Sequence, residues 1–436
     1  MLDKIQSMFR IPELRRRILF TLALLVVFRI GSYVPVPGID SQALSKALES
    51  ARGTLLGLYD MFAGGAFHRA TIFALGIMPY ISASIIMQLL TAVIPYFEKL
   101  QKEGEEGRRK ITQYTRYGTV FLAMIQSYGI SIFLESGLGM GLQVVPNPGL
   151  AFRLLTMMTL TSGTIFLMWL GEQISDKGIG NGISLLIFAG IIARYPNDFL
   201  RTFTALKVGE MKLFTMLFLL VLMVLIVAGV VVMTQAMRKI PVQYAKRVIG
   251  RRIYGGQSTH IPLRVNTAGV IPIIFAQAIL MFPQSLGTFF GSNMSFMQHV
   301  AELLNPRHVP YNILYAIIIV FFAYFYTAIV FNPRDLAENM QRYGGFIPGI
   351  RPGKRTADYI DRVLTRVTLP GALFLAFIAI LPSIFLYRFN APFVFGGTGL
   401  LIVVGVALDT LQQIESHLIM RHYEGFLKKG KLRGRR

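Results

Sequence analysis

The chain has no cysteine among its 436 residues, which excludes disulfides and thiolate metal sites. Acid is scarce as well, with 22 Asp and Glu against 44 Lys and Arg. The six histidines (His68, His260, His299, His308, His417 and His422) have no partner at metal-ligand spacing, and no His-Glu-x-x-His pattern occurs. No carboxylate falls in the middle of an apolar run. Arg29, Arg388 and Asp409 lie near run ends. A proton- or sodium-coupled carrier would need such a central group or an unwound carbonyl site. Two nucleotide-like strings also fail. Gly425-Phe-Leu-Lys-Lys-Gly-Lys431 has Leu432 where a phosphate loop needs Ser or Thr, and Gly178-Ile-Gly-Asn-Gly182 lacks the dinucleotide spacing and suits a tight turn. The expectation is a protein that is not an enzyme and holds no cofactor or metal, with any energy supplied by a partner.

Apolar residues fill the space that these absences leave. At 53% hydrophobic and a mean hydropathy of +0.54, the composition excludes a soluble globular protein of this length. Ten apolar stretches stand at about 17–34, 70–95, 117–134, 154–171, 179–195, 213–236, 267–290, 309–331, 367–388 and 393–411. Most approach the roughly 20 residues that a bilayer core requires. If both termini are cytoplasmic, the inside segments are 1–16, 96–116, 172–178, 237–266, 332–366 and 412–436. They carry most of the basic residues, while the outside segments are nearly neutral. The reading is an all-α, multi-pass inner-membrane protein with ten transmembrane helices and both termini cytoplasmic. Gly182 to Ala193 alone is too short to cross, so the fifth span needs the glycine-rich turn residues to join its helix.

The same pass gives the organisation. Residues 1–16 read as a basic amphipathic helix on the membrane surface rather than a cleavable signal. Residues 17–195 form an N-terminal half, 196–210 an external hinge loop, 211–411 a C-terminal half and 412–436 a basic cytoplasmic tail. Topology and anionic lipid account for much of the net charge of +22. Two loops exceed that need. Residues 237–266 carry seven basic residues and no acid, and 332–366 carry seven with four acids. Their Gly, Pro and aromatic punctuation points to ordered docking arms for a large, negatively charged cytoplasmic partner.

An internal repeat joins the halves. Gly76-Ile-Met-Pro-Tyr-Ile-Ser-Ala-Ser-Ile-Ile86 in the second span aligns with Gly269-Val-Ile-Pro-Ile-Ile-Phe-Ala-Gln-Ala-Ile279 in the seventh at Gly, Pro, Ile, Ala and Ile. With five spans per half, the copies run in opposite directions, the inverted-repeat plan in which interrupted helices line a site between halves. Each proline is expected to kink its helix. Ile77 and Ile81 share a face at i, i+4, and Ile274 occupies the repeat position of Ile81. Between the first two spans, Leu55 to Phe67 is apolar, aromatic and too short to cross. It reads either as an interfacial helix or as a movable helix, hinged at Gly64-Gly65, that folds in and blocks a cavity.

With these residues in view, the chain resembles the SecY family of protein-secretion channels over essentially its whole length. The most specific stretches are Asp60-Met-Phe-Ala-Gly-Gly-Ala66 running into Thr71 through Gln88, Gly171 through Gly182, Tyr326-Thr-Ala-Ile-Val-Phe-Asn-Pro333, and Glu338 through Gly353. The resemblance implies two inverted five-helix halves around a central pore with an apolar waist. Carried over, that ring is Ile77, Ile81, Ile187, Ile274 and Ile402, with Ile191 close by. The repeat reaches Ile77, Ile81 and Ile274 independently. Residues at about 55–67 resemble the family's plug, with Leu58, Met61, Phe62, Gly64 and Gly65 in it. Spans two and three opposite seven and eight resemble a lateral gate. Gln88, Gln126 and Gln277 either latch it or make packing hydrogen bonds. The resemblance further implies docking of the SecA motor ATPase and the ribosome through Lys246, Arg247, Arg251, Arg252 and Arg351. It also implies the small membrane subunits SecE and SecG, and signal sequences and unfolded polypeptides as substrates. Without the resemblance, a secondary solute transporter on an inverted-repeat scaffold is the alternative.

Overall fold

The computed structural model describes residues 11–44, 55–137, 144–209, 211–244, 247–249, 252–254, 258–290, 303–305, 308–389 and 397–429. Helix α1 (Pro12–Gly31) starts on a proline, whose missing N–H would have no partner in a first turn. Residues 12–16 are therefore the start of this helix and not part of a separate surface helix; residues 1–10 lie outside the described residues. A short helix, α2 (Leu55–Phe62), leads into a run of turns that ends at Ile77. Helix α3 (Met78–Val93) stops at Ile94, and Pro95 opens α4 (Pro95–Lys102) at an angle of 97°. The first half continues through α5 (Glu105–Glu135), α6 (Leu150–Lys177), α7 (Gly182–Ile192) and α8 (Tyr195–Val208).

Two expectations for this half are corrected. The turn residues 178–181 do not join the fifth span: the Asn181 side chain accepts from the Ile183 and Ser184 N–H groups and caps α7 at Gly182. Length comes instead from beyond the helix, because α7 and α8 together form one candidate crossing. The hinge loop at 196–210 is accordingly helical up to Val208. Pro196 lies in the first turn of α8, and Gly209 closes it at φ +81°.

The second half opens with α9 (Leu213–Gln235), followed by strands β1 (Met237–Tyr244), β2 (Arg247–Ile249), β3 (Arg252–Tyr254) and β4 (Ser258–Arg264). It continues through α10 (Ile271–Phe290), α11 (Val309–Val330), α12 (Pro333–Arg342), β5 (Gly345–Phe346), α13 (Lys354–Phe389) and α14 (Gly397–Lys429). Antiparallel β1 pairs with β4 on one side and with β5 on the other, and β2 with β3 makes a separate small ladder. The predominantly helical fold thus carries a small sheet, and the two basic loops are one folded unit. Ile240, Val242, Leu263, Met340, Ile347 and Ile360 form its buried core. Each large side chain there contributes about 1.5–3 kcal/mol against exposure to water.

Among the described residues, eight helices are long and apolar enough to cross a membrane, or nine if α3 and α4 form one bent span. The expected first span, α1, has 20 residues but carries Arg15, Arg16, Arg17 and Arg29, which interrupt its apolar run. A single large apolar cluster runs through the helical body from α1 to α14. The most apolar helix, α9, is also the most exposed of the candidates. Leu213, Phe214, Leu217 and Leu225 point outward from it, as lipid-facing residues do.

Candidate functional site

The two repeat copies share a backbone as well as a sequence. Gly76 and Gly269 both sit at φ +61°, in the left-handed region that favours glycine. Two residues after each, a helix begins with proline as its second residue. The equivalent first-turn bonds match: Ile81 N–H donates to Ile77 C=O at 3.1 Å, and Ile274 N–H donates to Val270 C=O at 3.2 Å. The prolines therefore start helices where kinks are expected, and the backbone before each is a string of turns. Irregular backbone at membrane depth persists only when covered by protein. Phe67, Phe73 and Leu75, in the first approach, are buried accordingly.

All six isoleucines are buried within the helical body. Ile77 precedes α3 and Ile81 lies in its first turn, Ile187 and Ile191 are one turn apart on α7, Ile274 lies in the first turn of α10, and Ile402 near the start of α14. All six are at most 5% exposed and belong to one apolar cluster. The end of α2 belongs to it too, through Met61, Phe62 and Ala63. A Cβ added at Gly399 would fall 3.3 Å from Met61 Sδ and 3.4 Å from Ile191 Cγ2, so α2, α7 and α14 meet there. A Cβ on Gly76 would fall 3.2 Å from Ala63 Cα. Of the two readings of Leu55–Phe67, the interfacial helix does not fit: Tyr59, Asp60, Met61 and Phe62 are all buried. The Leu58 side chain lies outside what is described.

The segment is fastened at its turn. Gly64 (φ +67°) lies against α7 so closely that a Cβ would approach Gly190 Cα to 2.8 Å, while Gly65 (φ +82°) has open space. Arg29 Nη1 donates to Gly64 C=O at 3.3 Å. Arg194 Nη1 lies 3.2 Å from Asp60 Oδ2, and the other oxygen, Asp60 Oδ1, accepts from His68 N–H at 2.9 Å. Sequence reasoning misses Arg194. Its signal is a lone cation at the end of an apolar run, the same signal that singles out Arg29.

Three aromatic rings extend the cluster toward α5 and α10. Tyr59 lies edge-on to Phe289 of α10 at 6.1 Å, and Phe289 lies 5.6 Å from Phe133 of α5. Of the three glutamines, Gln88 does not reach across: its Nε2 donates to Ser84 Oγ, one turn back on α3. Gln126 and Gln277 are buried on α5 and α10, which pack together. Gln126 Oε1 lacks a donor and Gln277 Nε2 lacks an acceptor among the described residues.

The basic residues divide. Lys246 and Arg251 lie outside the described residues; Arg247 and Arg252 stand at opposite ends of the β2–β3 ladder. Arg351 is exposed in a turn between Gly349 (φ +80°) and Gly353 (φ +100°), and its carbonyl accepts from Thr356 Oγ1 at 2.9 Å. The β1–β5 pairing carries this turn on the same unit as the β1–β4 hairpin.

Comparison with known proteins agrees with this geometry. The SecY family model matches residues 71–411. Protein translocase subunit SecY of Escherichia coli K12 is 50% identical over 424 residues, covering 97% of this chain and 96% of the relative. Among solved structures, a protein-conducting channel superposes with a TM-score of 0.62 at 18% identity, covering 98% of this chain and 99% of that one. Sec61 in the canine ribosome–channel complex from the endoplasmic reticulum gives a TM-score of 0.57 at 17% identity, with the same coverage.

Proposed function

This chain belongs to the SecY family, and we propose that it is the passive protein-conducting channel of a translocase, with a collar, a plug, a gate and a docking unit built from the residues above. The observation that carries the reading is that the buried Ile77, Ile81, Ile187, Ile191, Ile274 and Ile402 lie in or beside helices that pack on one another, α3 on α10 and α7 on α14, with the end of α2 against α7 and α14. An unfolded polypeptide presents every kind of side chain, so its conduit cannot rely on specific hydrogen bonds. Branched apolar side chains make a deformable collar of low adhesion, and an empty apolar constriction resists ions by dewetting. Met61 and Phe62 supply a second seal from the other direction. Withdrawal hinges at Gly64-Gly65.

The pairing of α3 and α5 with α10 and α11 is the lateral gate, through which apolar segments leave for lipid. Gln126 and Gln277 are its polar contact. The basic sheet unit is the dock for a motor ATPase of the SecA type or a ribosome. Its arginines pair bidentately with carboxylate or phosphate, and ribosome binding by the Sec61 relative supports this assignment. SecE and SecG are the accompanying small subunits. Both termini and the sheet unit face the bacterial cytoplasm, and anionic lipid meets the remaining basic charge.

The test uses the natural absence of cysteine. A single Cys at Ile274, in complexes holding a secretory precursor stalled halfway, is expected to crosslink to the precursor only when motor, ATP and signal sequence are present. No crosslink at Ile274 or Ile77 in complexes verified as stalled would remove the collar from the polypeptide path.

A further inference from the structure

Beyond the collar, one face of α14 continues into a cavity. From Ile402 that face runs at steps of three and four residues to Val406, Asp409 and Gln413. These last three line a cavity of about 580 Å³ together with Ser184, Ile271 and Arg264. Ser184 stands one turn before Ile187 on α7, and Ile271 one turn before Ile274 on α10. The cavity thus adjoins three collar positions, on the side where β4 delivers Arg264.

Asp409 is the one carboxylate lining this space among the described residues. Its side chain is exposed there and has no hydrogen bond or ion pair among the described residues. Arg264, the one arginine of the lining, donates Nη1 to Gln412 Oε1 at 2.7 Å. Among the described residues, His417 and Tyr326 are the remaining titratable groups of the lining. The carboxylate sits over the turn that starts α10, where a Cβ on Gly269 would fall 3.3 Å from Asp409 Oδ2. Arg264 shares the cavity but its guanidinium is engaged with Gln412, so a visiting cation meets a carboxylate that no ion pair occupies.

We propose that Asp409 is a recognition point for the Lys and Arg side chains at the start of a signal sequence. The proposal rests on the channel reading given above. Its chemistry follows from spacing. Secretory signals place a positively charged segment just before an apolar one. Asp409 lies seven residues from Ile402, roughly 10 Å along the helix. An apolar segment lying along the collar therefore leaves its basic neighbours level with the carboxylate.

The test compares two precursors in inverted membrane vesicles that contain the whole translocase and its motor. One precursor carries four lysines at its start, and the other carries glutamine in their place. Asp409→Asn is expected to slow import of the lysine precursor about fivefold, the effect of a partly exposed ion pair, and to leave the glutamine precursor unchanged. Asp409→Glu restores the lysine preference, and Asp409→Lys shifts preference toward a precursor that starts with glutamates. Equal slowing of both precursors by Asp409→Asn overturns the proposal, as does an inorganic cation at the site, which would make both precursors equally sensitive. If the unmodified translocase imports neither precursor, the channel reading itself fails.

Discussion

The two repeat copies have one backbone and different neighbours. At the first copy, Gly76 backs onto Ala63 in the turn after α2; at the second, Gly269 backs onto the Asp409 carboxylate. The first is reached through a buried apolar segment, the second through a strand of the basic sheet unit. In the proposed channel this is what inversion produces, with equivalent turns opening toward opposite faces of the membrane. On that reading a duplicated scaffold supplies two matching halves of a collar, and what covers each half then specialises. In the proposed channel, one side carries a seal and the other an entrance.

Breaking the seal should have the largest effect. Gly64→Ala costs about 1–2 kcal/mol for its left-handed backbone and about 1–3 kcal/mol for crowding Gly190. Its expected phenotype is a large ion leak through vesicles that still import protein. Gly65→Ala incurs only the backbone cost, because nothing lies near its Cβ, and should leak far less. Equal leaks from the two variants would separate closure from the seat on α7. The symmetry of the collar is sharpened next by Ile81→Asn and Ile274→Asn. Each places an amide without a partner in the cluster, a cost of about 2 kcal/mol, and should loosen closure to a similar degree. A leak from one variant alone would show that the collar is lopsided despite its repeat.

Much of this is legible in the order of the amino acids, and what escapes it has a physical pattern. The repeat is visible because a left-handed turn followed by a helix start demands Gly and Pro at fixed spacing, and both copies keep them. The same residues mislead in one respect: proline at a helix start and proline in a helix interior look alike inside an apolar run, so starts read as kinks. Helix α8 carries legible signals, Pro196 and Gly209, but the expectation of a loop between halves hides them. Ile187 and Ile402 are reached only through family resemblance, since nothing local distinguishes them from other apolar residues on a membrane helix. The sheet is out of reach for a different reason. The pairing of Gln243 with Phe346 joins loops separated by two helices, and short strands with mixed polarity give no period that announces it.

The second copy offers a moderate perturbation. Gly269→Ala adds a Cβ beside Asp409 Oδ2 at a left-handed residue, for about 1–2 kcal/mol. It should slow entry without opening the seal, so import falls while ion flux stays low. Gly76→Ala, with the same backbone cost, crowds Ala63 instead and should raise ion flux. If the two variants had the same phenotype, the contrast between seal and entrance would collapse.

The smallest effect concerns how the seal is fastened. Arg194 and Asp60 keep 20% and 12% of their side-chain surface, so their pair lies between the exposed and the fully buried cases. A coupling of about 1 kcal/mol is expected from a double-mutant cycle of Arg194→Gln and Asp60→Asn, read as the logarithm of ion flux. Arg29 complicates the reading, because it holds the neighbouring Gly64 carbonyl and can retain the turn when Arg194 is lost. The cycle should therefore be run a second time in an Arg29→Gln background. If the two cations share the task, leak should rise more in that background than the separate effects add to. If they act independently, the effects will add, and the seat of Gly64 on Gly190 will be the main fastening of the first copy's cover.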